Sequence, residues 1–176
     1  MKKLVVGVMM MVAMAAQAQN DAIAKFFSKY QNDESFSQVN VSGKMFSMMA
    51  NLDSDKPEDK ALFTAISKIK GLKILSKTET RNSRDLYKEA MAMIPTNDFE
   101  ELMTIRDKDK DMKFFTKESG GKVSELVMVM AGNEEFVLMT LFGEIDLKEM
   151  SKIGRAVNID GLNNLEKIKD KDKKKK

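Results

Sequence analysis

The stretch VSELVMVMAGNEEFVLMTLF, residues 123–142, decides how the chain is read. Residues 123–131 and 136–142 are two almost unbroken apolar runs, joined by a polar loop that carries Gly132 and Asn133. Short apolar runs on either side of such a loop predict a β-hairpin, and the lack of polar alternation predicts burial of both its faces. The other segments then read as neighbours and cover for this hairpin.

Upstream of it the apolar period is two. Phe99, Glu101, Met103 and Ile105 alternate with Glu100, Leu102 and Thr104, although the acidic start of this run also suits a helical turn. A charged turn at 107–111 follows. Met112, Phe114 and Thr116 then alternate with Lys113, Phe115 and Lys117, and Ser119-Gly120-Gly121 makes a second turn. Four consecutive strands with short loops predict an antiparallel β-meander. Downstream, Gly143 and Glu144 are expected to close the last strand. Asp146 and Glu149 form a capping box, flanked by Ile145 and Met150 at the staple positions, so a helix is expected with Leu147, Met150, Ile153 and Val157 on its inner face. Residues 161–168 read as one more short helix, grading into the low-complexity tail KDKDKKKK.

The N-terminal half is mostly helical in period. Ile23, Phe26, Phe27 and Tyr30 make one face of a helix over 20–31. Residues 36–42 alternate as a short strand, read as an edge. Met45, Met48, Met49 and Leu52 give a stripe on a helix over 44–52, read as core filling rather than as a pliable methionine surface. A helix over 58–70 has Pro57 in its first turn and Ala61, Leu62, Ala65, Ile66 and Ile69 on its inner face, with Gly71 expected as its left-handed C-terminal residue. Residues 72–80 read as a strand whose polar end, 77–80, leaves the sheet or lies at its rim. Asn82 or Ser83 is expected to cap a further helix, striped by Leu86, Tyr87, Ala90, Met91 and Ile94 and ended by Pro95. The expected fold class is therefore α+β: a mainly antiparallel sheet, made of a C-terminal meander of about four strands plus one or two N-terminal strands, packed against helices.

Residues 1–18 read as a secretory signal peptide. Lys2 and Lys3 are its basic start, residues 4–16 its apolar segment, and Ala16-Gln17-Ala18 its cleavage pattern, which predicts a mature chain from Gln19. No cysteine follows to carry a lipid, and no later apolar stretch predicts a transmembrane helix. Periplasmic export is thus expected, with an extracellular location as the alternative. A single α+β domain is expected over 19–160. The net charge of +3 belongs to the ends: without the two leader lysines, and without the tail's seven lysines and two aspartates, residues 19–166 carry −4.

The chain has no His, Cys or Trp. That removes the usual neutral-pH acid–base group, thiolate nucleophiles and the commonest metal ligands. Asp107, Asp109, Asp111 and Glu118 superficially match a calcium loop, but the sixth position is Met112 where that loop needs glycine, and lysines interleave the carboxylates. The acidic loop of Asp53, Asp55, Glu58 and Asp59 reads as charge complementing a helix start. Ser67-Lys68-Ile69-Lys70 fits S-x-x-K without its companion motifs. The carboxylate pairs Glu100/Glu101 and Glu134/Glu135 sit at strand ends and loop tips, where solvated charge is usual. Asn40-Val41-Ser42 fits a glycosylation sequon that this leader gives no reason to use. The lysine tail lacks interleaved aromatics, so nucleic-acid binding is not expected, and it reads as solubilising. No catalytic, cofactor-binding or metal residue is assigned.

The order of segments resembles a known family. The pieces are GKMFSMM, IKGLKIL, FEELMTIRD, MKFFTKE and VSELVMVM…FVLMTLFGEIDLKEMSKI, with Leu141-Phe142-Gly143-Glu144-Ile145-Asp146-Leu147 the most specific. They resemble the exported Bacteroidota family called domain of unknown function 4252, over about residues 22–153. The resemblance brings no activity and no catalytic residues. It implies a Gram-negative envelope protein, and an association with envelope signalling through neighbouring extracytoplasmic sigma-factor genes. The expected function is a non-enzymatic interaction module whose sheet face or edge docks a protein, a second copy among the candidates. The alternative is a small-ligand or lipid-binding protein with a Met- and Phe-lined cavity; a hydrolase stands third.

Overall fold

The computed structural model describes residues 22–51 and 57–147. The expected leader, residues 53–56 of the acidic loop, the helix expected beyond Leu147 and the tail at 161–176 lie outside the described residues. The observed order is α1 (Ala22–Tyr30), β1 (Ser37–Ser42), α2 (Gly43–Ala50), α3 (Pro57–Ser67), β2 (Ile69–Lys77), α4 (Ser83–Met93), β3 (Glu100–Arg106), β4 (Lys110–Ser119), β5 (Lys122–Gly132) and β6 (Phe136–Ile145). The fold is α+β.

All six strands form one antiparallel sheet in the order β1-β2-β6-β5-β4-β3. β3 to β6 are the expected meander. β2 returns to pair with β6, with Ile74 opposite Met139 and Leu75 opposite Leu138. The hairpin of β5 and β6 therefore lies in the middle of the sheet, which accounts for its missing polar face. On one face Leu75, Phe115, Val127, Val129, Phe136 and Leu138 pack under Ile23, Phe26 and Phe27 of α1 and Leu86 and Ala90 of α4. On the other, Met112, Phe114, Leu126, Met128, Met139 and Leu141 form a second core, joined by Phe46 of α2 and by Leu147. Both faces are buried at the hairpin, so the sheet face is core rather than docking surface.

Two expectations fail at the junction of α3 and β2. The helix ends at Ser67, three residues early, and Ile69 and Lys70 already belong to β2. Gly71 is not a left-handed helix cap. It sits inside β2, opposite Ser42 and Phe142, with the Phe142 ring lying over it. Apolar helical period across 61–69 looks the same whether Ile69 closes a helix or opens a buried strand. β6 also continues through Gly143 and Glu144 to Ile145 instead of closing there. Gly143 has φ 140°, and a Cβ on it would meet the backbone at Ile69 and Lys70, so the close approach of the strands needs glycine.

α4 starts where expected, with Asn82 at the cap position, but no side-chain cap bond forms. The Asn82 Oδ1 accepts from the Thr80 hydroxyl instead. The fully buried Ser83 hydroxyl donates 2.8 Å to the Gly132 carbonyl oxygen, tying α4 to the tip of the central hairpin.

Candidate functional site

The two sheet edges differ in their chemistry. An edge strand presents alternate N–H and C=O groups to solvent, and proteins blunt such edges with charge, bulges or cover. β3 follows that rule. Its sequence EELMTIR carries Glu100, Glu101 and Arg106, and a register shift breaks its pairing between Glu101 and Met103. Glu101 is held by Lys113 Nζ at 2.5 Å and by the Thr104 hydroxyl at 2.5 Å, which lower its carboxyl pKa.

β1 does not follow it. Its sequence SQVNVS has no charge, no proline and, against β2, an unbroken register from Ser37↔Ser76 to Ser42↔Gly71. Its open side faces solvent along its length, and Val39 is 49% exposed. The strand is nevertheless firmly placed. Ahead of it, the Asp33 carboxylate accepts from the Ser35 hydroxyl and backbone N–H at 2.6 and 3.0 Å, which lowers the Asp33 pKa. Phe36 is buried against Tyr30, with ring centroids 4.5 Å apart. Tyr30 in turn donates to Glu89 at 2.8 Å, and Lys29 pairs with the same carboxylate at 2.6 Å, so α1 is clamped to α4.

Alternate β1 residues face two surfaces. Gln38 and Asn40 look onto a groove of about 160 Å³ beside α1, lined also by Phe27, Ser28, Gln31 and Lys73. The Gln38 amide donates 3.1 Å to the Tyr30 carbonyl oxygen. Val39 and Val41 lie on the other face, opposite Ile74 and Leu72. On that same face α2 follows at once. Phe46 enters the second core, but Met45, Met48 and Met49 are 51%, 58% and 38% exposed. Met45, Met48 and Met49 are therefore surface rather than core filling, and Leu52 of the expected stripe lies outside the described residues. One aromatic per two turns anchors the helix, and the methionines remain on the surface.

The residues considered for chemistry are dispersed. Asp111 is held in β4 by Arg84 and Arg106. Asp107 Oδ1 accepts from the Lys108 N–H, Asp109 lies 3.4 Å from the Asn133 amide, and Glu118 is near the far end of β4. Ser67 donates to the Thr64 carbonyl oxygen at the end of α3 while Lys70 lies in β2. Glu134 and Glu135 border an open groove of about 430 Å³ at the hairpin tips with Thr78, Asp109 and Lys110. Among the described residues no three His, Cys, Asp or Glu side chains gather as metal ligands, and no helix is long and apolar enough to cross a membrane. Each groove touches a core at one such residue, Met130 in the larger and Phe27 in the smaller.

The family described as a domain of unknown function (DUF4252) matches residues 30–153, a span that runs from the end of α1 past the last strand. No curated protein and no solved structure matches the chain.

Proposed function

Since the chain belongs to the family described as domain of unknown function 4252, which supplies no activity, we propose a function from its surface: an exported, non-enzymatic envelope protein that binds a protein partner by strand addition at β1. The observation that carries this reading is the contrast between a charge-free, regularly paired, exposed β1 and a charged, bulged β3. Main-chain hydrogen bonds to β1 provide affinity in such docking, and pockets for alternate side chains provide selectivity. Here the amide-rich groove and the methionines of α2 are those two selective surfaces. Methionine suits the role because its unbranched chain adapts to varied partners.

The basic start, apolar segment and Ala16-Gln17-Ala18 pattern support export, with cleavage after Ala18 and the periplasm as the proposed location. A link to envelope signalling is part of the same proposal. The test is affinity capture on the exported protein, using the wild-type chain beside Val39→Lys and Met48→Lys. A charge at either position is expected to remove the captured partner while the fold, read by circular dichroism, is retained. Capture unchanged by both substitutions rules the edge out. Amino-terminal sequencing of periplasmic material is expected to start at Gln19.

A further inference from the structure

We infer that a second copy of this chain occupies β1, in antiparallel pairing about a two-fold axis through Val39. The inference rests on the docking role proposed for that edge and names its occupant. Such an axis lies perpendicular to the sheet, pairs each residue with its counterpart across the axis, and gives an isologous contact. The two six-stranded sheets then join into one continuous sheet.

Charge at the strand ends selects this partner. Glu34 precedes β1 and Lys44 follows it, and both are exposed. Among the described residues neither side chain takes part in a hydrogen bond or ion pair. Exposed Lys70 of β2 adds to the basic end, beside the Ser42↔Gly71 pair. At the other end Asp33 and Glu34 outweigh Lys77 of β2, so one end of β1 is net acidic and the other basic. Antiparallel pairing with itself sets each acidic end against the partner's basic end, twice over. Complementary charge of this kind fixes register and orientation.

The register follows from the residues within the strand. An axis through Val39 leaves Glu34, in the turn before the strand, and Lys44 of the other copy, in the first turn of its α2, at the same end of the joined pair. It also sets Gln38 against Asn40, amide facing amide on the groove side, and Val39 against Val39 on the side of α2. The Gln38 amide N–H₂ already donates to Tyr30, so its oxygen remains to accept from Asn40 across the interface. An axis through Gln38 sets Val39 against Ser37, and one through Asn40 sets Gln38 against Ser42; both lose the Gln38–Asn40 amide pairs. Directly opposed Cβ atoms lie about 4.5–5.5 Å apart in such a pair, so the two Val39 side chains cover one another.

Sedimentation equilibrium on the mature chain is expected to give a reversible dimer. Glu34→Lys and Lys44→Glu each disturb two symmetric contacts and are expected to weaken it roughly tenfold, while the double reversal recovers wild-type affinity within about threefold. The chain has no cysteine, so single cysteines report the register. Val39→Cys is expected to form a disulfide-linked dimer under mild oxidation faster than Ser37→Cys does. A chain that stays monomeric up to about 1 mM, or a dimer indifferent to both single reversals, overturns the inference. If a monomeric chain still captures another protein in a manner abolished by Val39→Lys, the self-pairing falls while the docking role stands. A dimer that survives Val39→Lys overturns the self-pairing at β1.

Discussion

The ring of Phe142 lies directly over the Cα of Gly71: a Cβ placed there would stand 2.9 Å from both Cε atoms and closer still to Cζ. The two residues are opposed in the β2–β6 pairing, next to the register shift where β2 begins. An aromatic ring across a strand glycine fills the space its missing side chain leaves. Gly71→Ala is therefore expected to destabilise the fold by about 1–3 kcal/mol, the usual cost of forcing atoms into a packed site. Phe142→Leu in the same chain is expected to restore part of that loss, because a smaller side chain vacates the space. Urea denaturation of the two singles and the double mutant measures the coupling.

Ser83 predicts a second loss. Its hydroxyl is fully buried and bonds the Gly132 carbonyl oxygen across the first core. Ser83→Ala leaves the half-buried Gly132 carbonyl oxygen short of its donor, which costs about 1 kcal/mol. Ser83→Thr, which keeps the hydroxyl, is expected to recover only part, since its extra methyl has no space. Thermal unfolding of the three chains gives the order wild type, threonine, alanine.

Glu144 predicts a pH dependence. Hydrogen bonds from Lys122 at 2.8 Å and Lys68 at 2.5 Å push its carboxyl down to about 2 from an ordinary 4.5. A carboxylate with a lowered folded-state pKa binds fewer protons folded than unfolded across that interval. Its stabilisation is thus fully present above about pH 5 and is lost as pH falls toward 2. Glu144→Gln is expected to flatten the melting-temperature profile between pH 5 and 2, with the two curves meeting at the acid end. Parallel curves over that range contradict the assignment. The carboxylate is solvent-facing, so added salt is expected to shrink the difference.

The central hairpin was legible because its two runs lack any polar alternation, and only a strand with neighbours on both sides and cover on both faces tolerates that. The meander was legible from turn residues such as Gly120 and Gly121. The end of α3 was not. Ile66 and Ile69 satisfy helical spacing, and nothing local reveals that Ile69 is paired with Gly143, more than seventy positions away. The methionines of α2 misled for a related reason. Met45, Met48 and Met49 have the spacing of a buried stripe, but burial depends on what packs against them, and the sheet takes only Phe46. For the edge proposed to dock a partner the useful sign was an absence: six residues, 37–42, without a charge in a chain with 57 ionised side chains among Lys, Arg, Asp and Glu.

The pairing of β2 with β6 has a consequence for how the chain reaches this state. Ile74 meets Met139 across 65 positions of sequence, while the meander strands meet across short turns. Contacts of that separation require closing a long loop before any reward is gained, and they slow folding. A chain delivered from its N-terminus presents β1 and β2 as a lone pair, with β2 still unmatched, until the final strand arrives. During that interval both sides of the pair are sticky, and only when β6 docks does a single open border remain.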